Sequence, residues 1–116
     1  MAKVLKKTGY KDRQLLFEKQ AEVIKAVAHP TRIAILYFLE NSEQCVCDIS
    51  EYVGSERSNV SRHLAVMVNA GVLQCRKEGL KVFYKLRTPC ILNFFSCIGQ
   101  VLKTRSNEAT QLLKSL

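Results

Sequence analysis

Apolar residues recur along the first two thirds of the chain at the spacing of α-helices. A single apolar face at a period near 3.6 residues is typical of amphipathic helices, and it predicts four of them, over residues 11–28, 30–40, 45–53 and 56–69. Pro30 marks the start of the second helix, since the residue before a proline is pushed out of helical geometry. Gly54-Ser55 joins the third helix to the fourth, because glycine tolerates positive φ and serine is a good N-cap.

The period of the pattern changes from 3.6 to 2 after residue 71. Two runs, VLQCR at 72–76 and VFYKL at 82–86, have the alternation of strands and flank KEGLK at 77–81. We therefore predict a hairpin with a basic tip over 72–87. The expected fold is mainly α with a small β-hairpin, in a single domain that spans residues 1–116.

A long terminal helix is predicted from Pro89 to about Arg105, and it is apolar on much of its surface. A helix this apolar in so small a chain needs a partner surface. We expect the helices at about 10–28 and 89–105 to form a dimer interface. The alternative is that the terminal helix packs wholly inside the monomer.

Composition narrows the class of protein. The chain is 47% hydrophobic and 24% charged, as in ordinary soluble domains, and it has no apolar run long enough for a membrane helix and no signal-peptide core. We expect a cytoplasmic protein, in which five cysteines favour metal or redox chemistry or simple packing over a disulfide framework.

The net charge is +8, and residues 57–87 carry seven basic residues and one acidic residue. Such a concentrated basic segment indicates a polyanion partner.

Residues 45–69 have the pattern of a helix-turn-helix: two short helices joined by a glycine-containing turn, the second polar at its start. Its polar side chains suit hydrogen bonds to base edges and phosphates in a DNA major groove. These candidate DNA contacts are Arg57, Ser58, Asn59, Ser61, Arg62 and His63. The basic hairpin after this helix would act as a wing, with Arg76, Lys77 and Lys81 placed to meet backbone phosphates.

AHPTRIAIL, CVCDIS, SNVSRHLAVM and GVLQCRKEGLKVFYKL, in this order and spacing, resemble the ArsR/SmtB family of winged-helix metalloregulatory repressors. The resemblance covers about residues 20–100 and is greatest to the arsenical-resistance repressors. It implies a winged helix-turn-helix homodimer that binds double-stranded operator DNA and dissociates when a metal or metalloid ion binds. Zinc sites of the family on the terminal helix use Asp, Glu and His. They are disfavoured here because neither histidine lies in that helix.

CVCD at residues 45–48 is similar to the arsenic and antimony site of the arsenical repressors and to half of the cadmium and lead site of related sensors. The resemblance implies that Cys45 and Cys47 bind As(III) or Sb(III), or else Cd(II) or Pb(II). Arsenical repressors of the founding kind have a third cysteine where this chain has Ser50. The third ligand is therefore open: solvent, or Cys75, or one of the possible additional ligands Cys90 and Cys97.

The spacing of Cys45 and Cys47 raises a geometric problem, because side chains at i and i+2 on a helix point in different directions. We expect the pair to occupy the N-cap and first turn, where one cysteine can leave helical geometry and the positive helix end favours thiolate. Chelation would then distort a helix that packs on the DNA-reading helix. Cys90 and Cys97, seven residues apart on one helix face, either form a second thiol site across a dimer axis or simply pack.

Three other functions compete with a metal-responsive repressor. A thiol redox or persulfide sensor of the same fold would use a Cys90–Cys97 switch, since a Cys45–Cys47 disulfide would close a very small ring and is expected to be awkward. An enzyme is disfavoured because the sequence has no catalytic triad, paired carboxylates or phosphate-binding glycine loop. A DNA-binding or partner-docking protein without a ligand is the third possibility.

Overall fold

The computed structural model describes residues 9–116; residues 1–8, which hold most of the basic N-terminal segment, lie outside the described residues. In chain order the elements are α1 (Tyr10–Val27), α2 (Pro30–Phe38), β1 (Gln44–Cys45), α3 (Val46–Val53), α4 (Arg57–Asn69), β2 (Leu73–Glu78), β3 (Lys81–Leu86) and α5 (Ile91–Lys114). The expected mainly helical fold with a small sheet is confirmed.

The core forms where the apolar faces of α2, α3 and α4 meet. Helix α4 buries Val60, Leu64 and Met67, which are spaced four and three residues apart and therefore lie on one face. They join one cluster with Ile35 of α2 and Ile49 of α3, all of them fully buried. Packing of α3 against α4 in this core fixes the angle between the two helices of the helix-turn-helix.

The sheet has three antiparallel strands in the order β1-β3-β2, one more than the predicted hairpin. The additional strand is short: Gln44 and Cys45 pair with Tyr84 and Phe83 of β3. Strands β2 and β3, which we call the wing, are joined by a two-residue turn rather than the five-residue loop expected from the sequence. Gly79 permits this turn by adopting a φ of 62°.

Helix α5 is longer than predicted, continuing past Arg105 to Lys114. Of its described residues Phe95 is buried, and Ile91 and Leu92 at its start are partly buried against the core. The exposed apolar side chains of α5 are Phe94, Ile98, Val101, Leu102, Leu112 and Leu113. Helix α1 likewise exposes Leu15, Leu16, Phe17 and Ile24. Within residues 9–116 these two faces are exposed, so α5 does not pack wholly against the described part of one chain.

Candidate thiol site and DNA-binding surface

Cys45 lies outside the helix that follows it. The sequence predicted a helix from residue 45, but Cys45 has extended backbone angles, φ −78° and ψ 160°, and is the N-cap of α3. Its backbone pairs with Phe83 in the sheet, and its Sγ accepts a hydrogen bond from the Asp48 amide at 3.4 Å. Cys47 lies in the first turn of α3. The pair therefore occupies the N-cap and first turn, the arrangement that removes the i, i+2 problem.

The sulfur atoms of Cys45 and Cys47 meet, and the structure joins them in a disulfide. The expectation that this disulfide would be awkward is wrong. Because Cys45 is extended rather than helical, the two Cα atoms are 5.3 Å apart, within the ordinary range for disulfides. Cys45 is buried and Cys47 half-buried. The backbone therefore brings the two sulfur atoms to one place at the start of α3.

Asp48 lies beside the two sulfurs as a third possible metal ligand, which the sequence did not lead us to expect. Cys45, Cys47 and Asp48 each offer one ligand atom, and these three atoms lie within 4.8 Å of one another. Within residues 9–116 they form the one group of three His, Cys, Asp or Glu side chains that could hold a metal ion. The signal in the sequence was an acidic residue three positions after the helix N-cap, where the chain has turned back towards the cap. Two thiolates and a carboxylate together suit a soft or borderline cation.

Ser50 lies inside the protein. It is 8% exposed, and its Oγ has no hydrogen-bond partner among the described residues. Ser50 stands three residues after Cys47 on α3, so the two side chains lie on neighbouring turns of one helix face. The position where founding arsenical repressors have a third cysteine is thus buried beside the thiol pair.

The remaining cysteines do not join this cluster. Cys75 is exposed on β2, and Cys90 and Cys97 are exposed at the start and on the first half of α5. Of the described thiols, only Cys45 and Cys47 are brought together by the fold of a single chain.

A short connection ties the thiol helix α3 to α4. Gly54 closes α3 in the left-handed region, with φ 66° and ψ 37°, and the Ser55 amide donates to the Ser50 carbonyl at 3.2 Å. The Asn59 side-chain amide then donates to the Ser55 Oγ at 2.8 Å. The N-cap of α4 is Glu56 rather than the expected Ser55, and its side chain makes no capping bond. A displacement of α3 would therefore pass directly to the first turns of α4.

The polar face of α4 divides into two groups. Arg57, Ser58, Ser61 and Arg62 are exposed, whereas Asn59 and His63 are half-buried. Asn59 faces the connecting turn through Ser55 and accepts a bond from the Arg62 guanidinium at 3.4 Å. The exposed members form a continuous polar surface at the start of the helix, as expected of a helix that enters a DNA groove.

His63 faces inward towards α2. Its Nδ1 accepts a hydrogen bond from the Arg32 Nε at 3.0 Å, and its ring centroid lies 4.6 Å from that of His29. Arginine keeps its proton, so the neutral imidazole carries hydrogen on Nε2. Burial lowers the pKa of His63 below its ordinary value of 6.5, and electrostatic interactions with His29, Arg32 and Arg62 lower it further. His63 thus links α4 to the helix before the helix-turn-helix.

The three side chains of the wing that the sequence predicts to meet phosphates differ in their surroundings. Lys77 and Lys81 are exposed and make no ion pair among the described residues. Arg76, by contrast, is ion-paired with Glu43 and Glu78, and its guanidinium lies 4.7 Å from the centroid of the Phe83 ring. The hydrogen bonds from Arg76 hold the pKa of the Glu43 carboxyl below its ordinary value.

None of the helices formed by residues 9–116 is both long and apolar enough to cross a membrane.

The family model described as "Bacterial regulatory protein, arsR family" matches residues 29–74. The uncharacterized HTH-type transcriptional regulator Rv0081 of Mycobacterium tuberculosis is 33% identical over 102 residues, which are 87% of this chain and 90% of that protein. The arsenical resistance operon repressor of Escherichia coli is 38% identical over 66 residues, 56% of each chain. A cadmium resistance transcriptional regulatory protein of Staphylococcus aureus, a CadC homolog, is 40% identical over 67 residues, 57% of this chain and 55% of that protein.

Solved structures have the same fold. The crystal structure of Rv0081 matches with a TM-score of 0.71 and 32% identity, covering 82% of this chain and 96% of that one. The homodimeric winged helix-turn-helix DNA-binding domain of Mb0332 from Mycobacterium bovis, solved by NMR, matches with a TM-score of 0.71 and 26% identity over 84% of this chain and 91% of that one. The resemblance drawn from the sequence and the expectation of a non-enzyme are both confirmed: the chain belongs to the ArsR family of winged helix-turn-helix, DNA-binding transcriptional regulators.

Proposed function

We propose that the protein is a metalloid-responsive repressor: a homodimer that binds operator DNA when ligand-free and dissociates when As(III) or Sb(III) binds the thiolates of Cys45 and Cys47. The observation that carries this proposal is the meeting of the two sulfur atoms at the N-terminus of α3, the helix that a three-residue connection joins to the DNA-reading helix. The reduced thiols that this function needs place the protein in the cytoplasm.

The ligand-binding form is the reduced dithiol, because a disulfide sulfur offers no thiolate. Soft thiolates select soft ions, and As(III) takes a pyramidal arrangement of three ligands. Cys45 and Cys47 supply two of them, and the positive end of α3 favours their ionisation. A solvent hydroxide takes the third position, since Cys75, Cys90 and Cys97 lie outside the cluster.

Release from DNA follows from the position of Cys45. The Cys45 sulfur accepts a hydrogen bond from the backbone N–H of Asp48 and so caps α3. When this sulfur binds an ion instead, the cap and the first turn of α3 are disturbed. The disturbance passes through Gly54 and Ser55 to α4. A ligand shifts the equilibrium by its difference in affinity for the two states. A hundredfold loss of operator affinity needs a coupling of only about 2.7 kcal/mol.

The DNA-contact surface is formed by α4 and the wing. We assign base-edge and phosphate contacts to the exposed Arg57, Ser58, Ser61 and Arg62, with Asn59 and His63 at the edge of this surface. Lys77 and Lys81 reach phosphates beside the groove. Arg76 can contribute a phosphate contact only by exchanging one of its carboxylate partners.

The homodimer is supported by the uncovered apolar faces of α1 and α5. Such faces bury themselves against a second copy in a symmetric, isologous interface. The Mb0332 domain, which has the same fold, is homodimeric. In the dimer Cys90 and Cys97 would lie at or near this interface, where they are a candidate second thiol site.

Two alternatives within the same fold rest on specific observations. The carboxylate of Asp48 beside the thiols suits Cd(II) or Pb(II), and one relative is named for cadmium resistance. The Cys45–Cys47 disulfide supports a thiol-oxidation sensor: hydrogen peroxide would take two electrons from the two thiols, giving the disulfide and two waters. In that case the operator would be released by peroxide without any metal.

The test is operator retention, measured by fluorescence anisotropy on a DNA duplex that the reduced protein itself selects from a random library. Arsenite, antimonyl tartrate, Cd(II), Pb(II) and hydrogen peroxide are titrated against wild type, Cys45→Ser and Cys47→Ser, with Cys75→Ser as the matched control thiol. We expect arsenite and antimony to release wild type and Cys75→Ser but neither site variant. Release of Cys45→Ser at the wild-type arsenite concentration would overturn the assignment.

A further inference from the structure

The thiol site touches the wing as well as α3. Cys45 is at once the N-cap of α3 and a residue of β1, where it pairs with Phe83 of the wing. A movement of the Cys45 backbone therefore acts on two DNA-binding elements. The route through α3 to α4 is part of the proposed function, but the route to the wing is not.

A cluster of side chains reinforces the link between β1 and the wing. Glu43, two residues before Cys45, receives hydrogen bonds from the Arg76 Nε at 3.1 and 3.2 Å to its two oxygens and a further bond from Nη2. The Arg76 Nη1 donates to Glu78 at 2.6 Å. The guanidinium also lies over the Phe83 ring, the residue that pairs with Cys45. Two-point binding of a carboxylate by arginine is directional as well as attractive.

We propose that the Glu43–Arg76 pair is a latch that transmits ligand capture at Cys45 to the wing, so that Arg76 acts as a positioning residue instead of a phosphate contact. The inference rests on the proposed function and extends it to a second DNA-binding element. Capture of an ion by the Cys45 sulfur shifts β1, Glu43 follows its backbone, and Arg76 carries the shift into β2. Lys77, next to Arg76 on β2, then moves relative to the DNA backbone.

A different role for Arg76 makes different predictions. If Arg76 were a phosphate contact that Glu43 merely screens, removing the Glu43 charge would strengthen operator binding and steepen its salt dependence, by about one unit of log–log slope per contact. If the pair is a latch, its removal alters the ratio of operator Kd with arsenite to operator Kd without it. That ratio is the coupling factor, and it separates the two roles.

The experiment measures the coupling factor for wild type, Glu43→Gln, Arg76→Gln and the double variant. Glu40→Gln, at an exposed acid near Glu43 that makes no ion pair among the described residues, is the matched control. We expect each single variant to lower the coupling factor by about threefold to tenfold, the range typical of residues in a coupling network. The double variant should lose no more than the larger single loss, and Glu40→Gln should match wild type.

Arsenite binding is recorded separately, from the near-ultraviolet absorbance of the arsenic–thiolate bond. Wild type that binds arsenite and keeps the operator overturns the proposed function and the latch together. Wild type that releases the operator while Glu43→Gln keeps the full coupling factor overturns the latch alone. Hydrogen exchange of β2 amides, on the strand that holds Arg76, gives a reading without DNA. Arsenite should change this exchange in wild type and Glu40→Gln, and an equal change in Glu43→Gln would also refute the latch.

Discussion

Replacing Ser50 with cysteine should raise both arsenite affinity and stability. Ser50 is 8% exposed, and its hydroxyl has no partner among the described residues. It follows Cys47 by one helical turn, a spacing that puts the two Cβ atoms about 5–6 Å apart. A thiolate at this position would replace the solvent ligand and complete the three-sulfur set that As(III) favours.

The expected magnitudes follow from the burial of Ser50. A buried hydroxyl without a partner costs about 1–3 kcal/mol, whereas a cysteine packs as a small hydrophobe. Ser50→Cys should therefore raise the free energy of unfolding by about 1 kcal/mol, or Tm by about 4 °C in a chain of this size. A tethered third thiolate should tighten arsenite binding about tenfold or more, and tenfold corresponds to about 1.4 kcal/mol.

Ser50→Ala is the matched control, since it removes the same hydroxyl without adding a thiol. Thermal unfolding followed by circular dichroism gives the stability of the reduced proteins, and near-ultraviolet titration gives the arsenite Kd. Both variants should be more stable than wild type, and Ser50→Cys alone should bind arsenite more tightly. Equal arsenite affinities for Ser50→Cys and Ser50→Ala would refute the reasoning, because the third side chain would then fail to reach the ion.

Three further predictions concern the histidine, the wing and the dimer. Folding lowers the pKa of His63, so the unfolded chain binds a proton at this side chain more readily than the folded one. The free energy of unfolding should therefore decline as the pH falls below about 6.5. In urea titrations, His63→Gln should lose that part of the decline. Lys77→Gln and Lys81→Gln should each weaken DNA binding by the same factor for every DNA sequence, and should reduce the slope of log Kd against log salt concentration by about one. An unchanged slope would show that the lysine does not contact a phosphate. Ile98→Glu, on the exposed face of α5, should convert the dimer to a monomer in sedimentation velocity, and a persistent dimer would place the interface elsewhere.

Local patterns sufficed to predict much of the fold. Val60, Leu64 and Met67 mark one face of α4 in the sequence, and the same residues are fully buried. The alternation in VFYKL predicted β3, and Pro30 predicted the start of α2. These signals are local because helical and strand periodicity depend on neighbours a few residues away.

The parts that sequence reasoning missed depend on contacts between distant residues. A two-residue strand has no periodicity of its own, and β1 exists because Gln44 and Cys45 pair with β3 some forty residues later. Arg76 looked like a free wing cation, but Glu43, distant in sequence, occupies its guanidinium. Helix α5 was expected to end near Arg105, where the sequence becomes polar; its following residues continue the helix to Lys114.

Within the candidate site, the sequence pointed to Cys45 and Cys47, but their geometry needed the fold. The extended backbone at Cys45 is imposed by the pairing with β3, and it is what brings the sulfurs together. Asp48 joined the cluster for the same reason, since its backbone N–H donates a hydrogen bond to the Cys45 sulfur and its carboxylate lies close to both sulfurs. A helix that included residue 45 would have turned the Cys45 and Cys47 side chains in different directions.

The central claim is that ligand capture by Cys45 and Cys47 and release of the operator are one event. The most direct measurement follows both in a single titration of arsenite into the reduced protein–operator complex, with near-ultraviolet absorbance reporting arsenic–thiolate bonds and anisotropy of labelled DNA reporting release. The account predicts that the two curves coincide and reach their end at one arsenite per protomer. Saturation of the absorbance while the DNA stays bound would contradict it.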